Sequence, residues 1–387
     1  MTPLKRAWAL AAMLLAICGQ SYAQEQEASP WLLTVSANHG AWNSDKASSD
    51  GSQTTGFVQM AYAVESWGLS VSGTYARTSY MTEGADGRFE VSTPADTDIS
   101  TFYLVKLAGW TLRGGVDIKA PTGKHAYTDE EISRIMVDKL SQEIMLLNTY
   151  GGGLSVIPHF VAVYSMKPFT IGAAARYEIT GEYDPTTQTG NDNFNPGDRI
   201  TALLTGAWAV TDDDALMLTA SYLSLGKDKQ DGKDVFRQGD TYSADARYIR
   251  SWGEALSTSL GVIYRNQGIN QALTAESYLQ SEVSNSNNNS LETYLNGQYR
   301  YTKSLLLRGT AGMKIVGANG YPEDDPLYDA GIEKQYLEAG ASWYFTEGMY
   351  TTALLRYTRI KNKMDALSSA DTVYGLVNVD ISFVYGF

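Results

Sequence analysis

Apolar and polar side chains alternate along this chain in runs of about a dozen residues, the period of a β-strand with two unlike faces. The last run is the clearest. Val377, Val379, Ile381, Phe383, Tyr385 and Phe387 share one face, and Asn378, Asp380, Ser382 and Gly386 share the other. Upstream, the connections between such runs come in two lengths that take turns. Very short ones fall near Glu65-Ser66, Ala108-Gly109, Met166-Lys167-Pro168, Thr211-Asp212-Asp213, Trp252-Gly253-Glu254, Thr302-Lys303 and Glu347-Gly348. Long polar ones lie between them: Asn43 to Gln53, Met81 to Thr97, Pro121 to Tyr150, Asp184 to Gly197, Gly226 to Gly239, Gln267 to Ser290, Gly317 to Lys334, and Asn362 to Thr372. Seven short turns and eight long loops join sixteen strands; a slip at one pair of boundaries gives fourteen. No stretch after residue 23 approaches the eighteen or so apolar residues of a membrane-crossing helix. The pattern predicts an all-β, antiparallel transmembrane β-barrel of about sixteen strands, with short turns on one rim and long loops on the other.

Tryptophan gives an independent check, because indole prefers the membrane-water interface. Trp31, Trp67, Trp110, Trp208, Trp252 and Trp343 fall beside the short-turn ends, and Trp42 at a long-loop end. A soluble β-sandwich explains neither this clustering nor a strand that closes on an aromatic. That closing strand, with Phe383, Tyr385 and Phe387, resembles the assembly signal of bacterial outer-membrane β-barrels. The resemblance implies recognition by the barrel-assembly machinery, with both termini and the short turns in the periplasm.

Residues 1–23 read differently. Lys5 and Arg6 precede the apolar run Ala7 to Cys18, and Ser21-Tyr22-Ala23 forms a small-x-small site, so cleavage is expected before Gln24. The apolar run is short for a membrane anchor. Removing the segment takes the net charge of the 387-residue chain from −13 to −15 and removes its only cysteine. A chain this acidic is no nucleic-acid binder, since phosphate contacts need a cationic surface. Without cysteine it can build neither a disulfide scaffold nor a thiolate metal cluster.

Sixteen strands leave room for an aqueous channel, so function is read from the inward face. With the last strand as phase reference, Ile171, Ala173, Ala175, Tyr177 and Ile179 face lipid, as do Leu305, Leu307, Ala311 and Met313. The charges fall between them. Arg247, Arg300, Arg308 and Arg356 come from neighbouring strands and form a candidate basic strip lining the pore. Asp245, Glu292, Glu338 and Asp380 lie close by, and mutual neutralisation into wall-bracing ion pairs is an equal alternative.

The third long loop, Pro121 to Tyr150, carries a helix signature. Thr128 stands at the N-cap and Glu131 at the capping-box position, and Ile132, Ile135, Met136, Leu140, Ile144 and Leu147 recur at helical spacing. In general porins the loop between strands five and six folds into the barrel. This loop is similar in position and length, which implies that Thr128 to Leu147 forms a constriction or plug; a lid across the outer mouth is the other arrangement. Just before it, Lys119-Ala120-Pro121-Thr122-Gly123 is similar to a segment of barrels of the meta-pathway phenol-degradation type, which implies uptake of small aromatic compounds.

Enzymatic chemistry finds little support. His39, His125 and His159 are the only histidines, and none is paired with a nucleophile at a recognisable spacing; hydrogen bonding in the lumen or at a rim is expected of His39 and His159. The acidic and Asn-rich stretches Asn191 to Asn195, Asp228 to Asp234, Ser284 to Ser290 and Glu323 to Asp325 carry oxygen ligands but no complete calcium-loop pattern. No cofactor or metal is expected. The sequence therefore reads as a passive outer-membrane channel for small solutes, narrowed by loop 121–150. Two other readings stand beside it: a substrate-selective transporter for hydrophobic, aromatic or polymeric compounds, and a closed structural or adhesion barrel. Expected partners are outer-membrane lipid and lipopolysaccharide, the assembly machinery and the solutes; porin-type barrels commonly trimerise, which the resemblance offers as an oligomer.

Overall fold

The computed structural model describes residues 30–45, 50–81, 89–128, 131, 140, 143–145, 151–187, 193–275, 277–364 and 370–387. The leader 1–23 and the loop residues Ile132, Ile135, Met136 and Leu147 lie outside the described residues. Sixteen barrel strands follow in order: β1 (Trp31–Ser44), β2 (Gly51–Ala63), β3 (Trp67–Tyr80), β4 in two segments (Phe89–Pro94 and Thr97–Leu107), β5 (Trp110–Ala120), β6 (Ser155–Met166), β7 (Phe169–Thr180) and β8 (Arg199–Ala209). The second half comprises β9 (Asp214–Leu225), β10 (Thr241–Trp252), β11 (Leu256–Gln267), β12 (Ser290–Arg300), β13 (Leu305–Val316), β14 (Ile332–Thr346), β15 (Met349–Asn362) and β16 (Thr372–Gly386). Each is antiparallel to the next, and β16 pairs with β1, Val379 opposite His39. Closure leaves no row of unpaired backbone groups, the condition for a sheet to sit in hydrocarbon.

Alternation sorts the two faces. Val58, Met60, Ile171, Leu204, Leu218, Leu260, Leu295, Leu337, Leu355 and Ile381 are all exposed on the outer wall. An apolar surface of this extent calls for lipid rather than water. The six tryptophans at the short-turn ends are exposed with it, and several stack on neighbours: Trp31 on Phe387 at 6.3 Å, Phe169 on Trp208 at 6.0 Å and Trp343 on Phe345 at 6.4 Å. Tyr385 and Phe387 continue that aromatic row at 5.4 Å.

Three features depart from the sequence pattern. Trp42 does lie at a long-loop end, but it points into the barrel and is buried there against Gly51, the residue opposite it on β2. His39 is polar yet faces outward, and of the two places expected for it, lumen or rim, it takes the second, its Nδ1 2.8 Å from Thr54 Oγ1 near the long-loop end. The stretch Met81 to Thr97 is not loop throughout, because β4 already begins at Phe89. A β-bulge then interrupts β4: Pro94 pairs with Tyr75 and Asp98 with Ser72, so three residues of β4 face two of β3. The extra residue reverses the phase. Phe89 and Val91 are buried before it, whereas Tyr103, Val105 and Leu107 on the same odd positions are exposed after it.

Inside, large side chains lie across glycines of the neighbouring strand. Tyr336 covers Gly312 and Tyr294 covers Gly261, each directly opposite in register; a Cβ on either glycine would fall 2.3 Å from the ring. In the long loops, five short segments form a second antiparallel sheet. The run Ser284 to Ser290 spends its amides on backbone: Asn285 Nδ2 donates to Gln267 O at 2.9 Å, Asn287 Nδ2 to Gly268 O at 2.7 Å and Asn288 Nδ2 to Gly317 O at 2.6 Å. These bonds satisfy carbonyls at strand ends, where the ladder stops.

Candidate functional site

Loop 121–150 is tied at both legs by one carboxylate. Asp96, in the β4 bulge, accepts from Gly123 N at 2.9 Å and from Gly152 N at 2.8 Å. Beyond the first leg, Thr128 and Glu131 exchange two hydrogen bonds: Thr128 N donates to Glu131 Oε2 at 2.9 Å, and Glu131 N donates to Thr128 Oγ1 at 3.2 Å. Lys124 pairs with the other oxygen of Glu131. Burial pushes this carboxyl up, but Lys124 and the Thr128 bonds outweigh it and hold Glu131 below the ordinary carboxylate range.

Further along, the loop lies against the inner wall. Leu140 and Ile144 are buried in an apolar cluster with Trp42, Tyr80, Phe89, Val91, Ile360, Tyr374 and Leu376, which come from β1, β3, β4, β15 and β16. Polar contacts flank that patch. Gln53 on β2 holds the backbone of Met145. On the other side Glu143, whose side chain is 3% exposed, forms an ion pair with Lys334 of β14, lies 3.8 Å from Arg356 Nη2 of β15, and accepts from Thr358 Oγ1 at 3.4 Å. A loop that leaves the wall between β5 and β6 thus reaches β2, β14 and β15 from within.

Below Glu143 a cavity of about 290 Å³ opens on the lumen, lined by Glu143, Glu338, Arg356, Asn378, Asp380 and Asn38. The register builds it from two cross-strand rows: Glu338, Arg356 and Asn378 in one, and Leu354, Asp380 and Asn38 in the next. Arg356 stacks 4.2 Å over the Tyr336 ring, and the Tyr336 hydroxyl donates to Glu292 Oε1 at 2.7 Å. That bond fixes the ring on which the guanidinium rests.

The eight pore-lining residues named from sequence all face inward but do not form one strip. Arg356, Glu338 and Asp380 converge on the cavity. Arg247 instead pairs with Asp245 at 3.2 Å and lies 5.5 Å over Tyr294. Arg308 is four residues into β13, and Arg300 is the exposed last residue of β12, both toward the short-turn end. On the opposite wall Lys119 pairs with Glu178 at 3.1 Å, and His159 Nδ1 sits 3.5 Å from Asp117. Asn378 stands on the inward face that the sequence pattern gives it beside Asp380, whereas Gln53, Asp96, Glu143 and Lys334 escaped the sequence reading. Only Glu143 left a trace there, as a lone acid before the apolar run Ile144 to Leu147.

No family model matches the chain, and no curated protein matches it. Solved structures similar to it include a monoaromatic hydrocarbon channel, the TodX deltaS2 mutant, with 9% identity over 94% of this chain and 91% of that one at a TM-score of 0.48. A bacterial polysaccharide outer-membrane secretin matches with 10% identity over 94% and 100% of the two chains at 0.49. The CymD monoaromatic hydrocarbon channel matches with 12% identity over 94% and 90% at 0.46. The fold itself is that of a membrane-spanning β-barrel: a closed antiparallel sheet with an apolar outer wall and an aromatic girdle has lipid as its solvent.

Proposed function

We propose that the barrel is a passive channel for small polar solutes, its bore narrowed by loop 121–150. One observation carries this reading: Glu143 of the loop sits inside the barrel against Lys334 and Arg356, beside a cavity lined by groups of both signs. Sixteen strands supply the width for a wet lumen, and charged walls make such a lumen hospitable to polar solutes. Export through residues 1–23 and insertion directed by Phe383, Tyr385 and Phe387 complete the proposal.

The hydrophobic-solute reading draws on the inward apolar cluster around Trp42 and Tyr374. Leu140 and Ile144 already cover that cluster, so loop docking accounts for it. Planar-bilayer recordings test the proposal. Discrete open steps are expected, with larger single-channel conductance after deletion of residues 126–149. A silent bilayer overturns the channel, and an unchanged conductance in the deletion variant overturns the constriction.

A further inference from the structure

We infer that the channel favours small anions, and that its filter is the short-turn end of the lumen, where Lys106, Arg113, Arg300 and Arg308 stand. The inference names a solute class for the channel proposed above and rests on that reading.

The two signs are not spread evenly along the lumen. Among the inward-facing residues within five of the short-turn end of any barrel strand, four are cations and none is an acid. Arg300 ends β12 and Arg308 is fourth in β13. Lys106 is second from the end of β4 and Arg113 is fourth in β5. Asp214 opens β9 but faces outward, beside Arg250. The inward acid nearest this end is Asp380, seventh from Gly386. Farther along the bore acids and cations pair: Asp245 with Arg247, Glu178 with Lys119 and Glu143 with Lys334.

The four cations come as two pairs on opposite walls. Lys106 and Arg113 lie diagonally on neighbouring strands, Leu104 being the residue opposite Arg113. Arg300 and Arg308 repeat that arrangement, Arg300 being opposite Leu306. Eight strands separate β4–β5 from β12–β13 in a ring of sixteen, so a solute at this end passes between the pairs. Uncharged neighbours leave the second pair uncompensated. Arg308 has Gln298 and Gly340 across from it, and neither its side chain nor that of Arg300 forms an ion pair with a described residue. Sixteen strands about 4.8 Å apart at the usual tilt make a ring about 30 Å across. The Debye length is about 10 Å in 0.1 M salt and about 30 Å in 0.01 M, so in dilute salt the field of both pairs spans the bore, focused by its low-dielectric walls. Glu65, Asp212, Asp213, Glu254 and Glu347 are exposed on the turns beyond the sheet, where bulk water on all sides screens them.

Reversal potentials of the full chain in a planar bilayer, with about 0.1 M KCl on one side and about 0.01 M on the other, test the filter. A potential of about one kT in the bore enriches chloride and depletes potassium by a factor of about three each, so a chloride-to-potassium permeability ratio of about 3 to 10 is expected. The ratio should approach one near 1 M salt, where the Debye length is about 3 Å. Arg300→Gln combined with Arg308→Gln should lower the dilute-salt ratio at least about twofold, and Lys106→Gln on the opposite wall should lower it independently. Glu254→Gln, on a turn, should not lower it, and deletion of residues 126–149 at the other end of the lumen should preserve the preference for chloride. A native ratio of one or less overturns the filter, as does a ratio that neither set of substitutions lowers. A silent bilayer removes the channel and the filter together, whereas open steps without a chloride preference remove the filter alone.

Discussion

Gln53 of β2 clamps the backbone of Met145 from both sides: its Nε2 donates to Met145 O at 2.6 Å, and its Oε1 accepts from Met145 N at 2.7 Å. The same Nε2 donates to Thr78 Oγ1 at 2.8 Å, which fixes the amide's orientation. A side chain on the wall thereby offers a loop segment the backbone partners that a strand would have supplied. Gln53→Ala removes both bonds and leaves two backbone groups short. At about 1 kcal/mol or somewhat more for each bond, docking weakens by about 2–3 kcal/mol, which is about 30-fold to 150-fold more frequent opening. Limited proteolysis should show faster cleavage within residues 121–150 and an intact barrel; an unchanged rate would refute the clamp.

Asp96 ties the two legs of the loop through Gly123 N and Gly152 N. Asp96→Ala should release both, at a cost of about 3–6 kcal/mol for two hydrogen bonds to a charged acceptor. Asp96→Asn keeps one acceptor oxygen and should protect only one leg. Amide exchange at the two glycines distinguishes these outcomes, and equal protection in the alanine variant and the native chain would count against the tie.

Acid should loosen the start of the loop. Glu131 is held below the ordinary carboxylate range against the opposing effect of burial, so its contribution is present above the usual glutamate value of about 4.3 and is lost as pH falls through the lowered folded value. Deuterium uptake over residues 124–131, corrected for intrinsic rates, should be flat from about pH 5 to 8 and rise below about pH 4. Glu131→Gln, which keeps an acceptor for Thr128 N but not the Lys124 pair, should abolish the rise. A variant with the native acid response would show that another group is responsible.

Gly312 is where the Tyr336 ring lies. Gly312→Ala places a Cβ 2.3 Å from Tyr336 Cζ and forces the ring off the wall. The Tyr336–Glu292 bond and the Arg356 stack go with it, at about 1–3 kcal/mol for an overpacked site. Urea unfolding should register that loss; a midpoint equal to the native one would mean that the ring relocates freely.

Much of the barrel was legible because each strand obeys one local rule. A residue in hydrocarbon must be apolar, and its neighbour across the pleat meets water, so Ile171 to Ile179 and Val377 to Phe387 announce their faces unaided. The rule fails where a residue answers to something distant in sequence. The bulge at Ala95 to Thr97 reverses the phase of β4, and a periodicity argument has no means of counting one extra residue. Trp42, Ile360 and Leu376 are apolar yet face inward, because Leu140 and Ile144 provide them with a dry neighbour.

Sequence alone determined that this chain is a closed, lipid-facing barrel of about sixteen strands with short turns on one rim and long loops on the other, since period-two patterning against a uniform solvent needs no knowledge of partners. Tertiary structure decided where the third loop goes and what the lumen presents. Gln53 meets Met145 across 92 residues, and Glu143 meets Thr358 across 215; such pairings come from the circumference of the barrel and the register of its strands, which bring Glu338, Arg356, Asn378 and Asp380 to one cavity while leaving Arg247, Arg300 and Arg308 elsewhere on the wall.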